Sequence, residues 1–170
     1  MASCINKNLK KIAWIGFCLI PTVALGEISS FEVPALYKGI EWKSPVKSTS
    51  YIILEQGAKR AVIPITGQLF ESKPVEANME LFKYYRHELE ARGYSLKHVQ
   101  IPNSKITLLN GSGGDDEGAV DVDFNKYVNG DIRSVTVDEE SGHSSSSNNI
   151  YKIFVSDVIP VKSFMSANFK

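Results

Sequence analysis

Alternating apolar and polar residues mark the first structured part of the chain. Residues 48–54 and 61–68 are two runs rich in β-branched and aromatic side chains, with Gln56 and Gly57 between them. Two such runs on either side of a glycine-containing turn are typical of a β-hairpin. Pro64 lies inside the second run and lacks a backbone N–H, which predicts an edge strand or a bulge at that point.

A longer segment, residues 75–92, changes to the period of an α-helix. Its apolar residues recur at helical spacing: Leu81, Phe82, Tyr85 and Leu89. Pro74 suits the first turn of a helix, and Gly93 suits the position just past the last turn. The pattern therefore predicts one long amphipathic helix over residues 75–92.

Further runs with strand character follow the helix. They cover residues 94–101, 105–110, 119–128, 131–138 and 150–155, and the last can extend past Asp157 toward residue 161. Residues 162–170 are predicted to be a loose tail. Short turns between most of these runs favour pairing of neighbours, so we expect a single α+β domain over residues 27–161. Its antiparallel, meander-type sheet would have about six or seven strands, with the long helix packed on one face. Residues 27–47 would be the irregular N-terminal segment of this domain.

The Asn-Gly dipeptide at 129–130 is the strongest turn signal in the chain. A two-residue turn there fixes the register of the flanking strands. Phe124 then faces Val135 on the apolar side, and Asp121 faces Asp138 on the polar side. Two carboxylates directly opposite one another are destabilising unless something neutralises them.

The N-terminus has the order of features that is typical of a cleavable signal peptide. A lysine cluster precedes a short apolar run, and small residues follow up to Gly26. The apolar run is shorter than the roughly 20 residues that span a bilayer. We expect cleavage between Gly26 and Glu27, and a periplasmic or secreted protein, most consistent with a bacterial envelope.

Cleavage would change both the charge and the cysteine content. The three lysines of the leader lower the 19 basic residues to 16 against 19 acidic ones, so the net charge becomes −3. That balance disfavours nucleic acid or an anionic membrane surface as the main partner. Cys4 and Cys18 leave with the leader, so the mature domain must be held by its core rather than by disulfides.

No catalytic or cofactor motif is complete. Asp121, Asp123 and Asn125 begin like a calcium loop, but the glycine and glutamate that such a loop needs are absent. We therefore expect a non-enzymatic protein that binds another macromolecule, with its oligomeric state open. A first alternative is a carrier of a small apolar ligand, in a cavity lined by four residues: Phe82, Leu89, Phe124 and Val137. A second is a hydrolase with a dispersed Ser/His/Asp site that uses His98 or His143.

One candidate binding surface follows from the meander. It would bring two acidic loops to the same end of the sheet. The resulting acidic edge comprises Asp115, Asp116, Glu117, Asp121, Asp138, Glu139, Glu140 and His143. Such an edge could hold a weak calcium ion at Asp121 and Asp138, contact a basic partner, or be a solvated pair of loop tips. No other cofactor is expected.

Overall fold

The computed structural model describes residues 31–114, 120–141 and 148–170. The described residues form ten strands, one α-helix and one short 3₁₀ helix. The strands are β1 Val46–Gln56, β2 Lys59–Glu71, β3 Val75–Glu76, β4 Val99–Gln100, β5 Thr107–Leu109, β6 Ser112–Gly114, β7 Val120–Val128, β8 Asp131–Ser141, β9 Asn148–Ser156 and β10 Ile159–Pro160. Helix α1 is Met79–Ala91, and the 3₁₀ helix is Val161–Phe164.

All ten strands belong to one curled antiparallel sheet. Its main path runs β4-β5-β1-β2-β9-β8-β7-β6, while β10 pairs with β8 and β3 with β9. The segment 107–114 brings the two ends of this path together, because its first half pairs with β1 as β5 and its second half pairs with β7 as β6. The sheet is therefore a half-barrel with an inner and an outer face.

The predicted fold class is wrong in two respects. The sheet is not a meander, because β2 has β9 as its neighbour rather than the next strand along the chain. The helix is also shorter than predicted: Val75 and Glu76 are extended and pair with β9, and α1 spans 13 residues. The side chain of Asn78 accepts a hydrogen bond from the N–H of Glu80 and so caps the helix at that point.

The local turn signals are confirmed. The β7–β8 register is the one that the Asn-Gly turn predicts, with Asp121 opposite Asp138. The strands β1 and β2 form the expected hairpin, and Pro64 lies in the half of β2 that β9 does not reach. Gly93 follows the helix with a φ of +82°, a conformation that L side chains rarely adopt.

Two apolar clusters lie on opposite faces of the sheet. The outer cluster joins α1 to the odd-numbered residues of β8 and β9; its members are Leu81, Tyr85, Leu89, Tyr94, Phe124, Val135, Val137, Tyr151 and Ile153. The inner cluster fills one end of the half-barrel; its members are Ile52, Leu54, Ala61, Ile65, Ile101, Ile106, Leu108, Ile132, Phe154, Val161 and Phe164. Strands β8 and β9 therefore contribute side chains to both clusters, as the two-residue period of a strand requires.

The C-terminal segment is packed, where the sequence predicted a loose tail over residues 162–170. Phe164 is fully buried in the inner cluster. Lys170 and Arg60 exchange two backbone hydrogen bonds of 3.1 Å each, so the end of the chain lies against β2. No helix among residues 31–114, 120–141 and 148–170 is long and apolar enough to cross a bilayer.

Candidate functional site

An open cleft of about 260 Å³ occupies the end of the inner face that the apolar cluster does not fill. We call it the inner cleft. Its lining residues are Ser48, Thr49, Ser50, Leu69, Asp121, Thr136, Asp138, Lys152 and Phe154. Residues of β1 and β7, which have three strands between them along the sheet, meet in this cleft because the sheet curls.

Strand register explains how three charged side chains come to lie in one row. Asp121 on β7 is opposite Asp138 on β8, and Asp138 is opposite Lys152 on β9. The ammonium group of Lys152 also forms an ion pair with Glu140. The pKa of Lys152 is raised by the hydrogen bond that its ammonium donates to Glu140 and by the charges of Glu140, Asp138 and Glu71, although burial opposes them. Lys152 therefore stays protonated and offsets the repulsion between the opposed carboxylates.

Asp123 is the next acidic residue on the same face of β7, and it is less exposed than Asp121. Its Oδ1 accepts a hydrogen bond of 2.6 Å from the hydroxyl of Thr136, and its Oδ2 accepts one of 2.9 Å from the N–H of Gly111. Burial raises the pKa of Asp123, and the charge of Asp121 adds to that effect, while the two hydrogen bonds lower it. This carboxyl thus links β7 to β8 and to the segment between β5 and β6.

The raised pKa of Asp123 gives a testable dependence of stability on pH. A carboxyl whose pKa is raised on folding contributes most to stability at low pH, and that contribution is lost as the pH rises through the folded pKa. Asp123→Asn removes the titrating group. We therefore expect the unfolding free energy of Asp123→Asn, relative to the parent, to increase between about pH 3 and pH 7.

Urea denaturation of both proteins at several pH values measures this difference. Using the difference cancels the titration of the carboxylates that do not interact with Asp123, which is common to the two proteins. A difference that stays constant, or that decreases as the pH rises, would contradict the placement of Asp123 in a desolvated site.

The acidic edge predicted from the sequence does not form one surface among the described residues. The inner face of the sheet carries Asp121, Asp138 and Glu140. Glu139 lies between the last two along β8 and is therefore on the outer face. There its Oε1 accepts hydrogen bonds from the side-chain amide of Asn149 and, at 3.0 Å, from the hydroxyl of Tyr151. The remaining predicted residues lie outside the described ranges: Asp115, Asp116, Glu117, His143 and the cleavage pair Gly26 and Glu27.

Sequence reasoning missed the residues that complete the inner cleft. The position of Lys152 beside Asp138 could not be predicted, because it depends on the β8–β9 register and no short turn signal in the sequence fixes that register. Ser48 and Ser50 are on the inner face of β1, across the curl from β7. Their two-residue spacing from the apolar Ile52 and Leu54 was a usable sequence signal for their orientation, but no sequence signal indicates the curl that brings them to Asp121.

The structure also describes the residues of the predicted apolar cavity and one of the two candidate histidines. Leu89, Phe124 and Val137 are buried and Phe82 is packed against them, so these four residues form core rather than line a described cleft. The Nδ1 of His98 accepts a hydrogen bond of 3.0 Å from the N–H of Asn110. Among the described residues, no group of three or more histidine, cysteine or acidic side chains could hold a metal ion. Calcium at Asp121 and Asp138 stays a prediction.

Comparisons with protein-family models, curated proteins and solved structures gave no match for this chain.

Proposed function

We propose that this protein is an exported, non-enzymatic binding protein, and that the inner cleft receives a cationic side chain of a macromolecular partner. The observation that carries the proposal is the carboxylate of Asp121. It is exposed at the open end of the cleft, and it makes no hydrogen bond or ion pair with any described residue. Asp138 adds negative charge opposite it, and Lys152, the cationic residue of the lining, is paired with Glu140.

The shape and chemistry of the cleft favour a guanidinium or ammonium group. Serine and threonine hydroxyls supply further acceptors along the walls, and Leu69 and Phe154 can pack against the aliphatic part of a long basic side chain. An arginine suits such a site because its planar donors match carboxylate oxygens. Exposed ion pairs contribute only about 0–1 kcal/mol, so the cleft would supply specificity within a larger contact.

The expected export places this contact outside the cytoplasm. The leader at residues 1–26 supports export, and the resulting net charge of −3 suits a basic partner better than an acidic one. No complete set of catalytic groups accompanies the cleft among residues 31–114, 120–141 and 148–170, which is why binding rather than catalysis is proposed.

Titration with a capped arginine amide, followed by NMR of the mature protein, tests the proposal. We expect millimolar binding, with the largest shift changes at the amides of Asp121, Thr136 and Asp138. Asp121→Asn should weaken binding by about twofold to fivefold, as expected for the loss of one exposed ion pair. Glu76→Gln removes the same charge from an exposed position on β3, outside the cleft, and should leave binding unchanged.

A capped norleucine amide provides the matched ligand control, because it has an aliphatic side chain and no charge. Equal shifts with norleucine, or equal weakening by Glu76→Gln, would overturn the proposal. Either result would mean that the cleft does not select a cation.

A further inference from the structure

Strand β1 has a free edge beside the inner cleft. It pairs with β2 along its whole length, but on its other side β5 reaches only Ile53–Glu55. Within the described chain, residues 46–52 therefore have a neighbouring strand on one side only. The segment that pairs as β5 leaves β1 after Leu109 and continues as β6 against β7, which opens a gap between β1 and β6.

The turn of the β1–β2 hairpin determines which backbone groups line this gap. A two-residue turn at residues 57–58 closes on the pair Gln56 and Lys59. In such hairpins the closing pair exchanges hydrogen bonds, and bonded and non-bonded pairs then alternate along the ladder. The even-numbered residues of β1 therefore bond to β2, while Lys47, Thr49 and Tyr51 direct their N–H and C=O groups to the open side.

This edge lacks the features that usually protect edge strands. Proteins commonly blunt an edge with a proline, a bulge or several charges. The register of β1 is uninterrupted over its eleven residues, and Lys47 is the single charge between Val46 and Ile52. The edge also borders the inner cleft, since Ser48, Thr49 and Ser50 all line it.

We infer that β1 accepts an extended peptide as an added strand along residues 46–52, with an arginine or lysine of that peptide in the inner cleft. This inference rests on the proposed function, because the basic residue is the same contact. In an added strand, main-chain hydrogen bonds give affinity, and alternate side chains enter pockets that give specificity. An inward side chain next to Ser48 and Ser50 points toward Asp121 across the cleft.

Charge complementarity favours a basic strand of another protein over a strand of a second copy of this chain. In a second copy, β1 would direct Ser48 and Ser50 into the cleft and would supply no cation to Asp121 and Asp138. The outward side chains of the added strand would lie beside Lys47, Thr49 and Tyr51, and Tyr51, which is 65% exposed, offers an apolar contact there. The expected ligand is therefore an extended strand with a central basic residue directed into the cleft and an apolar residue beside Tyr51 on the outer face.

Peptide binding measured by fluorescence polarisation tests this inference on the intact mature protein. The probe is a short, capped peptide of alternating valine and serine with a central arginine. N-methylation of alternate amides blocks one hydrogen-bonding edge of the peptide, so two complementary methylated peptides block its two edges in turn. We expect one pattern to weaken binding by about tenfold or more and the other to leave it within about threefold.

The possible results distinguish strand addition at β1 from binding of a cation in the inner cleft. Arginine-dependent binding that is lost in Asp121→Asn, but that neither methylation pattern weakens, would overturn strand addition and leave the proposed function standing. Binding sensitive to one methylation pattern but indifferent to arginine would support the strand and overturn the basic contact. No binding by any peptide, or concentration-dependent dimers that Thr49→Pro abolishes, would overturn the inference.

Discussion

Replacement of Phe164 by alanine is expected to lower the unfolding free energy by about 3–5 kcal/mol, the usual cost of truncating a buried phenylalanine. Phe164 is fully buried in the inner cluster, at the end of the half-barrel away from the inner cleft. It belongs to the 3₁₀ helix that follows β10, and β10 pairs with β8. Its loss would therefore leave a cavity and loosen the contact between the C-terminal segment and the sheet.

Denaturant unfolding of the parent and the variant measures this effect. Met165→Ala is the matched control, because Met165 is the next residue along the chain and its side chain is 55% exposed. We expect the control to change stability by less than about 0.5 kcal/mol. Equal effects at the two positions would mean that the C-terminal segment does not form part of the core.

Gly67→Ala is expected to be the most damaging small substitution in the sheet. A Cβ at this position would lie 2.2 Å from the carbonyl oxygen of Val155 and 2.7 Å from the Cα of Ser156. Both neighbours are backbone atoms of β9, so β2 and β9 would have to move apart. Overpacking typically costs about 1–3 kcal/mol, and we expect a loss at or above the upper end.

Denaturant unfolding together with amide exchange in β2 and β9 tests this prediction, because the damage should begin at their ladder. Gly57→Ala is the control: its Cβ would meet nothing within 4 Å, but its φ of +63° disfavours an L side chain. That substitution should cost about 1–2 kcal/mol through backbone conformation alone. A loss at Gly67 no larger than the loss at Gly57 would contradict the close approach of the two strands.

The parts of the fold that local sequence signals determine could be predicted. A two-residue turn fixes the register of the strands that it joins, so the hairpin around residues 129–130 was correct down to the pairing of Asp121 with Asp138. The apolar stripe of Leu81, Tyr85 and Leu89 identified the buried face of α1. The helix start was wrong because residues 75–76 gain a strand partner in β9, an interaction that helix periodicity does not reveal.

The rest of the fold depends on contacts between distant parts of the chain. Pairing of β2 with β9 joins residues that are almost ninety positions apart, such as Gly67 and Ser156. No periodicity in either segment specifies that partner. The candidate site shows the same division: one hairpin placed Asp121 and Asp138 together, but Lys152 required the β8–β9 register. Glu139 and Glu140 were assigned to a loop, whereas they continue β8 and so point to opposite faces.

The pairing of β2 with β9 also sets the order in which the sheet can form. The β1–β2 hairpin has local contacts and can form early, yet its second strand gains its neighbour only when residues 152–156 are available. Until then residues 67–69 of β2 have a neighbouring strand on one side only, and the hairpin is marginal in water, as isolated two-stranded hairpins are. A nascent chain of this topology would therefore stay largely unfolded until nearly all of it has been synthesised, a property compatible with passage through a translocation channel.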